Sequence, residues 1–357
     1  MKTAFKRVLR SAILFGALPT FSLPSGGGQK FPSRKIKPIT SEFIFTRAPF
    51  RECHASTLME LPDGQLLAAW FGGVQEGDKS VAIWGARKAA GSWSAPEVLA
   101  RELGVPCWNP VLFCDREGRI WLFYKVGPGP ETWTGAYKTS TDGRSWSNIT
   151  YLPAGLLGPI KNKPITLSTG EILAGTSVES YGAWACWVEI SSDRGHTWKK
   201  HGPIVVPEHR QGIIQPTVWE VSPGQLKMLV RATREIGFIC EATSTDGGRT
   251  WTPAKPTTLP NPNSGIDAVR MTDGTVALVY NHTKTGRSPL NVAFSRDNAA
   301  TWRELFVLED EPGEYSYPAI IQTKDGMLHI TYTWRRQRIK HVVIDPTTAL
   351  SPAAGSR

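Results

Sequence analysis

Short apolar, β-rich runs separated by glycine turns make up the body of this chain, and the turns recur on a nearly fixed period. Six of them end in Gly64, Gly118, Gly170, Gly224, Gly274 and Gly326, spaced 54, 52, 54, 50 and 52 residues apart. Examples are Leu61-Pro62-Asp63-Gly64 and Thr323-Lys324-Asp325-Gly326. Each glycine suits the φ > 0 position of a hairpin turn. A period of this size, with several short strands in each unit, predicts a β-propeller or a related array.

A second element recurs later in the units. Ser191 to Trp198 and Ser244 to Trp251 both read S-x-D-x-G-x-T-W. Ser295 to Trp302 carries Ala299 in place of the glycine, Ser140 to Trp146 is one residue short, and Ala86 to Trp93 is a decayed copy. Aspartate here caps backbone N–H groups, glycine relieves a left-handed position and tryptophan packs back onto the strands. These are turn devices rather than catalytic groups.

Each unit reads as four strands, except the sixth. That unit has strands near Tyr317–Gln322, Met327–Trp334 and Ile339–Ile344, and lacks a fourth. The β-rich Glu42 to Arg47 segment ahead of the first unit is expected to supply it. Joining the ends in this way closes the ring and removes exposed sheet edges. The expected fold is therefore an all-β, six-bladed propeller over residues 41–346, with a tail over 347–357.

Fourteen Trp and 34 Gly fit such a turn-rich protein. The start differs. Lys2, Lys6, Arg7 and Arg10 precede an apolar run from Ala12 to Leu23, so residues 1–28 read as an export segment and 29–40 as a flexible linker. An exported protein, periplasmic or extracellular, follows from that reading, with a tether to a membrane as the alternative. No stretch is long enough to span a membrane as a mature helix, so no integral membrane domain is expected. The net charge of +10 arises mostly from this start, since residues 1–40 hold eight Lys/Arg and no acid. The +2 left for the remainder argues against a nucleic-acid partner. Cys53, Cys107, Cys114, Cys186 and Cys240 show no metal-ligand spacing, so neither metal nor other cofactor is implied. A Cys107–Cys114 bridge and buried free thiols both fit. Oligomeric state is not legible.

In a propeller the innermost strands line the central channel, and functional groups gather where those strands begin. Counting nine or ten residues back from each repeat glycine gives His54 and Ala55, Trp108 and Asn109, Ile160 and Lys161, Ile214 and Gln215, Ser264 and Gly265, and Ser316 and Tyr317. The set is polar for a channel mouth.

The two full S-x-D-x-G-x-T-W elements, the six units and the Cys53-His54-Ala55-Ser56-Thr57 segment resemble the sialidase superfamily of Asp-box propellers, and most closely its BNR-repeat branch. The resemblance covers residues 45–345. It implies three arginines that clamp a substrate carboxylate, a tyrosine nucleophile paired with a glutamate, and an aspartate acid/base. Arg231 and Tyr317, counted from the repeat glycines, and Arg287, counted eight residues before Ser295, match. The first arginine falls on His54, the glutamate on Gln215 and the aspartate on Ala82. Glu76 and Asp78, just upstream of Ala82, are candidate replacements, and Tyr315 is an alternative nucleophile. Lys161, Gln215 and Asn109 are candidate substrate contacts.

Two arginines at one mouth suit a planar carboxylate. The substrate expected from the resemblance is therefore an acidic glycan: a terminal sialic acid, a related sugar or a uronic acid. A tyrosine with its ordinary pKa of about 10 is mostly neutral at pH 7, and Gln215 cannot take its proton. Lys161 or His54 is then expected to assist by charge, or His54 to act as the base. Three readings follow: a sialidase-like glycosidase, a uronate-directed lyase or hydrolase with His54 and Tyr317 as the proton-transfer pair, and a non-catalytic glycan-binding propeller.

Overall fold

The computed structural model describes residues 33–35, 37–302 and 304–350. The export segment expected over residues 1–28 lies outside the described residues, as does the tail beyond 350.

All six repeat glycines take positive φ, between 74° and 91°, so each hairpin turns where the sequence placed it. The strands sort into six antiparallel sheets. Each sheet starts from an inner strand: Glu52–Glu60, Cys107–Cys114, Ile165–Thr166, Ile213–Ser222, Asp267–Arg270 and Tyr315–Gln322 for blades one to six. Blade six is completed from the other end of the chain. Thr40–Phe43 pairs antiparallel with Arg338–Ile344, and Ile44 N–H adds a bond to the Ile339 carbonyl. The closing strand thus begins two residues earlier than expected. Ser33–Lys35, inside the region read as linker, adds a parallel strand to Glu304–Glu309 at the edge of blade five.

Apolar burial follows the ring. Six clusters of buried side chains lie one at each blade-to-blade interface, including that between blades six and one, where Ile44, Trp70, Ile321 and Ile339 meet. Trp70 and Trp84 are committed to this packing and to backbone: Trp70 is fully buried and Trp84 Nε1 donates to the Gly72 carbonyl. All five cysteines are free thiols, so the Cys107–Cys114 bridge is not formed.

The Asp boxes behave as turn devices. Asp246 accepts from the backbone of Arg249 and Thr250 and from the hydroxyls of Thr250 and Ser244, and these bonds outweigh its burial to hold its carboxyl down at about 2. Trp251 Nε1 closes the same turn on the Gly248 carbonyl at 2.9 Å. Where glycine is missing, Ala299 still takes φ of 63°.

Candidate active site

Four inner strands share a backbone irregularity that sequence periodicity did not reveal. Nine residues before their repeat glycines, Ala55, Asn109, Gln215 and Tyr317 take φ of 57°, 39°, 57° and 52°. Each sits in a register shift of its strand pair, between His54 and Thr57, Trp108 and Val111, Ile214 and Thr217, and Ser316 and Ala319. A bulge of this kind bends the strand and re-aims side chains. Left-handed non-glycine residues cost of order 1–3 kcal/mol, and such strain clusters at functional sites.

The bulges bring Tyr317, Gln215 and Arg231 together from blades six and four. Arg231 Nη1 donates to Tyr317 Oη at 2.8 Å and to Gln215 Oε1 at 3.1 Å, and Gln215 Nε2 donates to Tyr317 Oη at 3.2 Å. Asn263 Oδ1 accepts from Arg231 Nε at 2.8 Å and fixes the guanidinium. The phenol oxygen therefore receives two donors, one of them charged, an arrangement that stabilises negative charge there. Among the described residues its own proton has no protein acceptor. The guanidinium carbons of Arg231 and Arg287 lie 5.6 and 5.7 Å from the Tyr317 ring centre.

His54 packs against the tyrosine, ring centres 4.1 Å apart and planes tilted by 48°. It is buried, its Nδ1 lies 3.0 Å from Thr333 Oγ1, and Phe71 packs edge-on against it. Burial first, then the charges of Arg336, Arg287, Arg231 and Lys161, hold its pKa well below the ordinary imidazole value. His54 is thus neutral near pH 7 and does not supply the charge expected of it.

Lys161 differs from expectation too. Its ammonium donates to Asn162 Oδ1 at 2.9 Å, to the Ile266 carbonyl at 3.0 Å and to the Pro318 carbonyl. Those acceptors match the three protons of an ammonium, so Lys161 ties blades three, five and six across the channel rather than facing the mouth. Burial pushes its pKa down to about 7. Lys163 pairs with Asp267, 2.8 Å away, which also accepts from Thr217 and from Ile320 N–H. Asn281, aligned by spacing with Arg231, donates instead to the Pro289 and Tyr315 carbonyls.

The proposed acid/base candidates separate. Asp78 caps its own turn by accepting from Ser80 N–H at 2.8 Å. Ala82 is buried within blade one. Glu76 meets Arg336, from the turn after the second strand of blade six. Tyr315 is buried against blade five, its hydroxyl beside Arg335, while Tyr317 alone of the two reaches Arg231. Asn109 is buried at the matching bulge of blade two, next to Trp108, whose Nε1 donates to the Gly127 carbonyl at 2.7 Å.

Sequence reasoning missed three charged residues at this mouth. Glu314 accepts from Arg287 at 2.7 Å and from Arg336 Nε at 3.1 Å. Burial pushes its carboxyl up, but the two arginines outweigh that and hold it below the usual glutamate range. Glu179, near the end of the second strand of blade three, follows Ser177 by two residues and so shares its face. Ser177 Oγ accepts from Gln215 N–H at 3.2 Å, so that face looks toward blade four. Burial raises the Glu179 carboxyl above its ordinary value, opposed by the charge of Arg231. None of the three keeps a fixed distance from a repeat glycine in other blades, which is why counting did not find them. Among the described residues no group of His, Cys, Asp and Glu has the arrangement of a metal site.

A closed six-bladed propeller with an arginine–tyrosine cluster at its mouth defines an Asp-box propeller of the sialidase-like kind. The chain belongs to the BNR repeat-like domain family, which matches residues 64–330. Among curated proteins it is similar to a sialidase of Micromonospora viridifaciens, 24% identical over 376 residues, covering 91% of this chain. It spans only 56% of that relative's length. Among solved structures, the Hadza microbial sialidase Hz136 superposes with a TM-score of 0.73 at 20% identity, covering 84% of this chain and 67% of that one. The NanB sialidase of Streptococcus pneumoniae gives 0.73 at 14% identity, covering 86% and 71%. A protein of unknown function from Dyadobacter fermentans gives 0.73 at 19% identity and is covered over 98% of its length. At these identities the structural likeness speaks for the fold.

Proposed function

We propose that this protein is a sialidase-like glycosidase that removes a terminal acidic sugar from a glycan, and that it works outside the cytoplasm. The observation that carries this reading is the Arg231–Tyr317–Gln215 cluster: a phenol oxygen receiving two protein donors, flanked by a second arginine, Arg287. In the reaction the arginines hold the sugar carboxylate. Tyr317 meets the anomeric centre as nucleophile or as stabiliser of its developing positive charge, its oxygen oriented by the two donors. Gln215 positions the phenol and takes no proton.

In this reading a carboxyl moves the proton, and two are candidates. Glu179, raised by burial, remains protonated to higher pH than an ordinary glutamate, as a general acid requires. Glu76 is engaged by Arg336 and becomes available only when that ion pair opens. Asp78 is assigned to its turn.

The test is release of a fluorogenic aglycone from a sialoside and from a β-glucuronide. The expected outcome is turnover of one of them, reduced at least a hundredfold in Tyr317→Phe and in Arg287→Ala with the folded spectrum retained. Glu179→Gln is expected to lower kcat more than it changes KM. Undiminished turnover in Tyr317→Phe would sink the proposal.

A second reading, a uronate lyase, draws support from the neutral His54 ring, whose centre lies 4.1 Å from that of Tyr317 at a 48° tilt. A neutral imidazole is able to accept the α-proton of a uronate whose carboxylate is held by arginine. New absorbance from an unsaturated product, lost in His54→Ala, would select it.

A further inference from the structure

The arginine that the sialidase resemblance calls for on blade one is absent, since His54 stands there. The structure places another arginine beside it. We propose that Arg336 completes the anion site, joining Arg231 and Arg287 as the third guanidinium that receives a substrate carboxylate. This rests on the reading of the substrate as an acidic sugar and adds a residue from a position outside the family pattern.

Four observations converge on it. The backbone of the Arg336 turn is pinned next to His54, because Cys53 N–H donates to the Arg336 carbonyl at 2.8 Å. The turn itself is an unfavourable one for arginine. Arg335 and Arg336 take φ of 52° and 57°, and Gln337 N–H closes onto the Trp334 carbonyl at 3.1 Å. Two successive left-handed positions ordinarily select Asn or Gly, so arginine is held there against its conformational preference.

The guanidinium is also oriented. Glu314 accepts Arg336 Nε and Arg287 Nη1 together, and Glu76 takes Arg336 Nη1. One carboxylate thereby draws two guanidinium groups to the same place. Glu314 is in turn fixed by Ser316 Oγ at 3.1 Å, and its backbone by bridging to Arg287. Among the described residues Nη2 of Arg336 and Nη2 of Arg287 donate to no protein acceptor. Those N–H groups remain for a ligand. Finally, three guanidinium groups gather around Glu314, whose carboxyl the arginines hold below the usual glutamate range, and Glu76, while burial raises the carboxyl of Glu179.

The chemistry is that of a planar carboxylate received by guanidinium N–H groups, a charge-assisted contact that point-charge lysine reproduces poorly. Glu76 occupies Arg336 Nη1 in the free protein and so competes with a ligand carboxylate for that group.

The experiment is an NMR titration of histidine ring signals, backed by calorimetry. Wild type, Arg336→Ala, Arg336→Lys, Arg287→Ala and Glu76→Gln are each titrated with pyruvate, N-acetylneuraminic acid and glucuronic acid. Wild type is expected to bind at least one of the three. Arg336→Ala is expected to weaken it tenfold or more, Arg336→Lys to recover part of the loss, and Glu76→Gln to bind at least as well as wild type. Binding of a sugar acid that needs Arg287 but not Arg336 would overturn the inference and leave the glycosidase reading standing. Binding of pyruvate alone, dependent on Arg336, would support the anion site and count against the acidic-sugar reading. No binding of any of the three would overturn both.

Discussion

Tyr315 and Tyr317 show how much one backbone angle decides. Two residues apart on a regular strand, they would share a face. The left-handed φ of 52° at Tyr317 sends Tyr315 to the blade-five interface and Tyr317 to the mouth against Arg231. Counting from the repeat glycine lands on the tyrosine that meets Arg231, because the bulge itself recurs at that count in four blades. Counting could not show that Lys161 faces inward, since its carbonyl acceptors come from blades five and six. The Asp boxes give a residue-scale prediction. Asp246→Ala removes the acceptor for two backbone N–H groups and two hydroxyls, and by analogy with the loss of a helix cap it is expected to cost about 1–2 kcal/mol. A lowered urea midpoint with an unchanged slope would bear this out; an unchanged midpoint would show that the turn holds without its aspartate.

At the scale of elements, the closing strand Thr40–Phe43 carries an ionisable fastening. Glu42 accepts from His341 Nδ1 at 2.9 Å, from Trp93 Nε1 at 3.0 Å and from Lys88, and His329 stacks on His341 with Nδ1 3.0 Å from its Nε2. Burial pushes His341 down to about 4, helped by the charges of Lys88 and His329, while Glu42 pulls the other way. The unfolded chain therefore takes up the proton first as pH falls. The stability tied to neutral His341 is complete above pH 6.5 and is lost toward pH 4, by about 3 kcal/mol at one pKa unit per 1.36 kcal/mol. Urea unfolding at pH 7 and pH 4.5 measures it. His341→Gln, which keeps a donor for Glu42 and does not titrate, is expected to flatten the dependence; an equally steep slope in the variant would assign it elsewhere.

For the whole molecule, the ring has to be closed by a segment some three hundred residues from its partner strand. Removing the chain through Phe45 deletes that strand and the buried Ile44 and Phe45. At about 1.5–3 kcal/mol for each buried side chain, a loss of about 3–6 kcal/mol is expected. Chemical denaturation of the truncated protein checks it, and stability equal to the full chain would mean that blade six holds with three strands.

The sequence by itself determined the six blades, their turns and the closure by the N-terminal segment, because those rest on local devices that repeat: glycine where φ is positive, aspartate where N–H groups need a cap, and β-rich runs between them. It also singled out Tyr317 and Arg231 by their distance from the repeat glycines, and Arg287 by its distance from Ser295. Tertiary structure alone decided which charges meet. Glu314, Arg336 and Glu179 converge on the mouth from non-repeating positions, and the ionisation of His54 and Lys161 follows from burial and from charges on other blades. Spacing along one chain encodes which strand a residue begins. It does not encode what the neighbouring blade places opposite, and the chemistry of this mouth lies between blades.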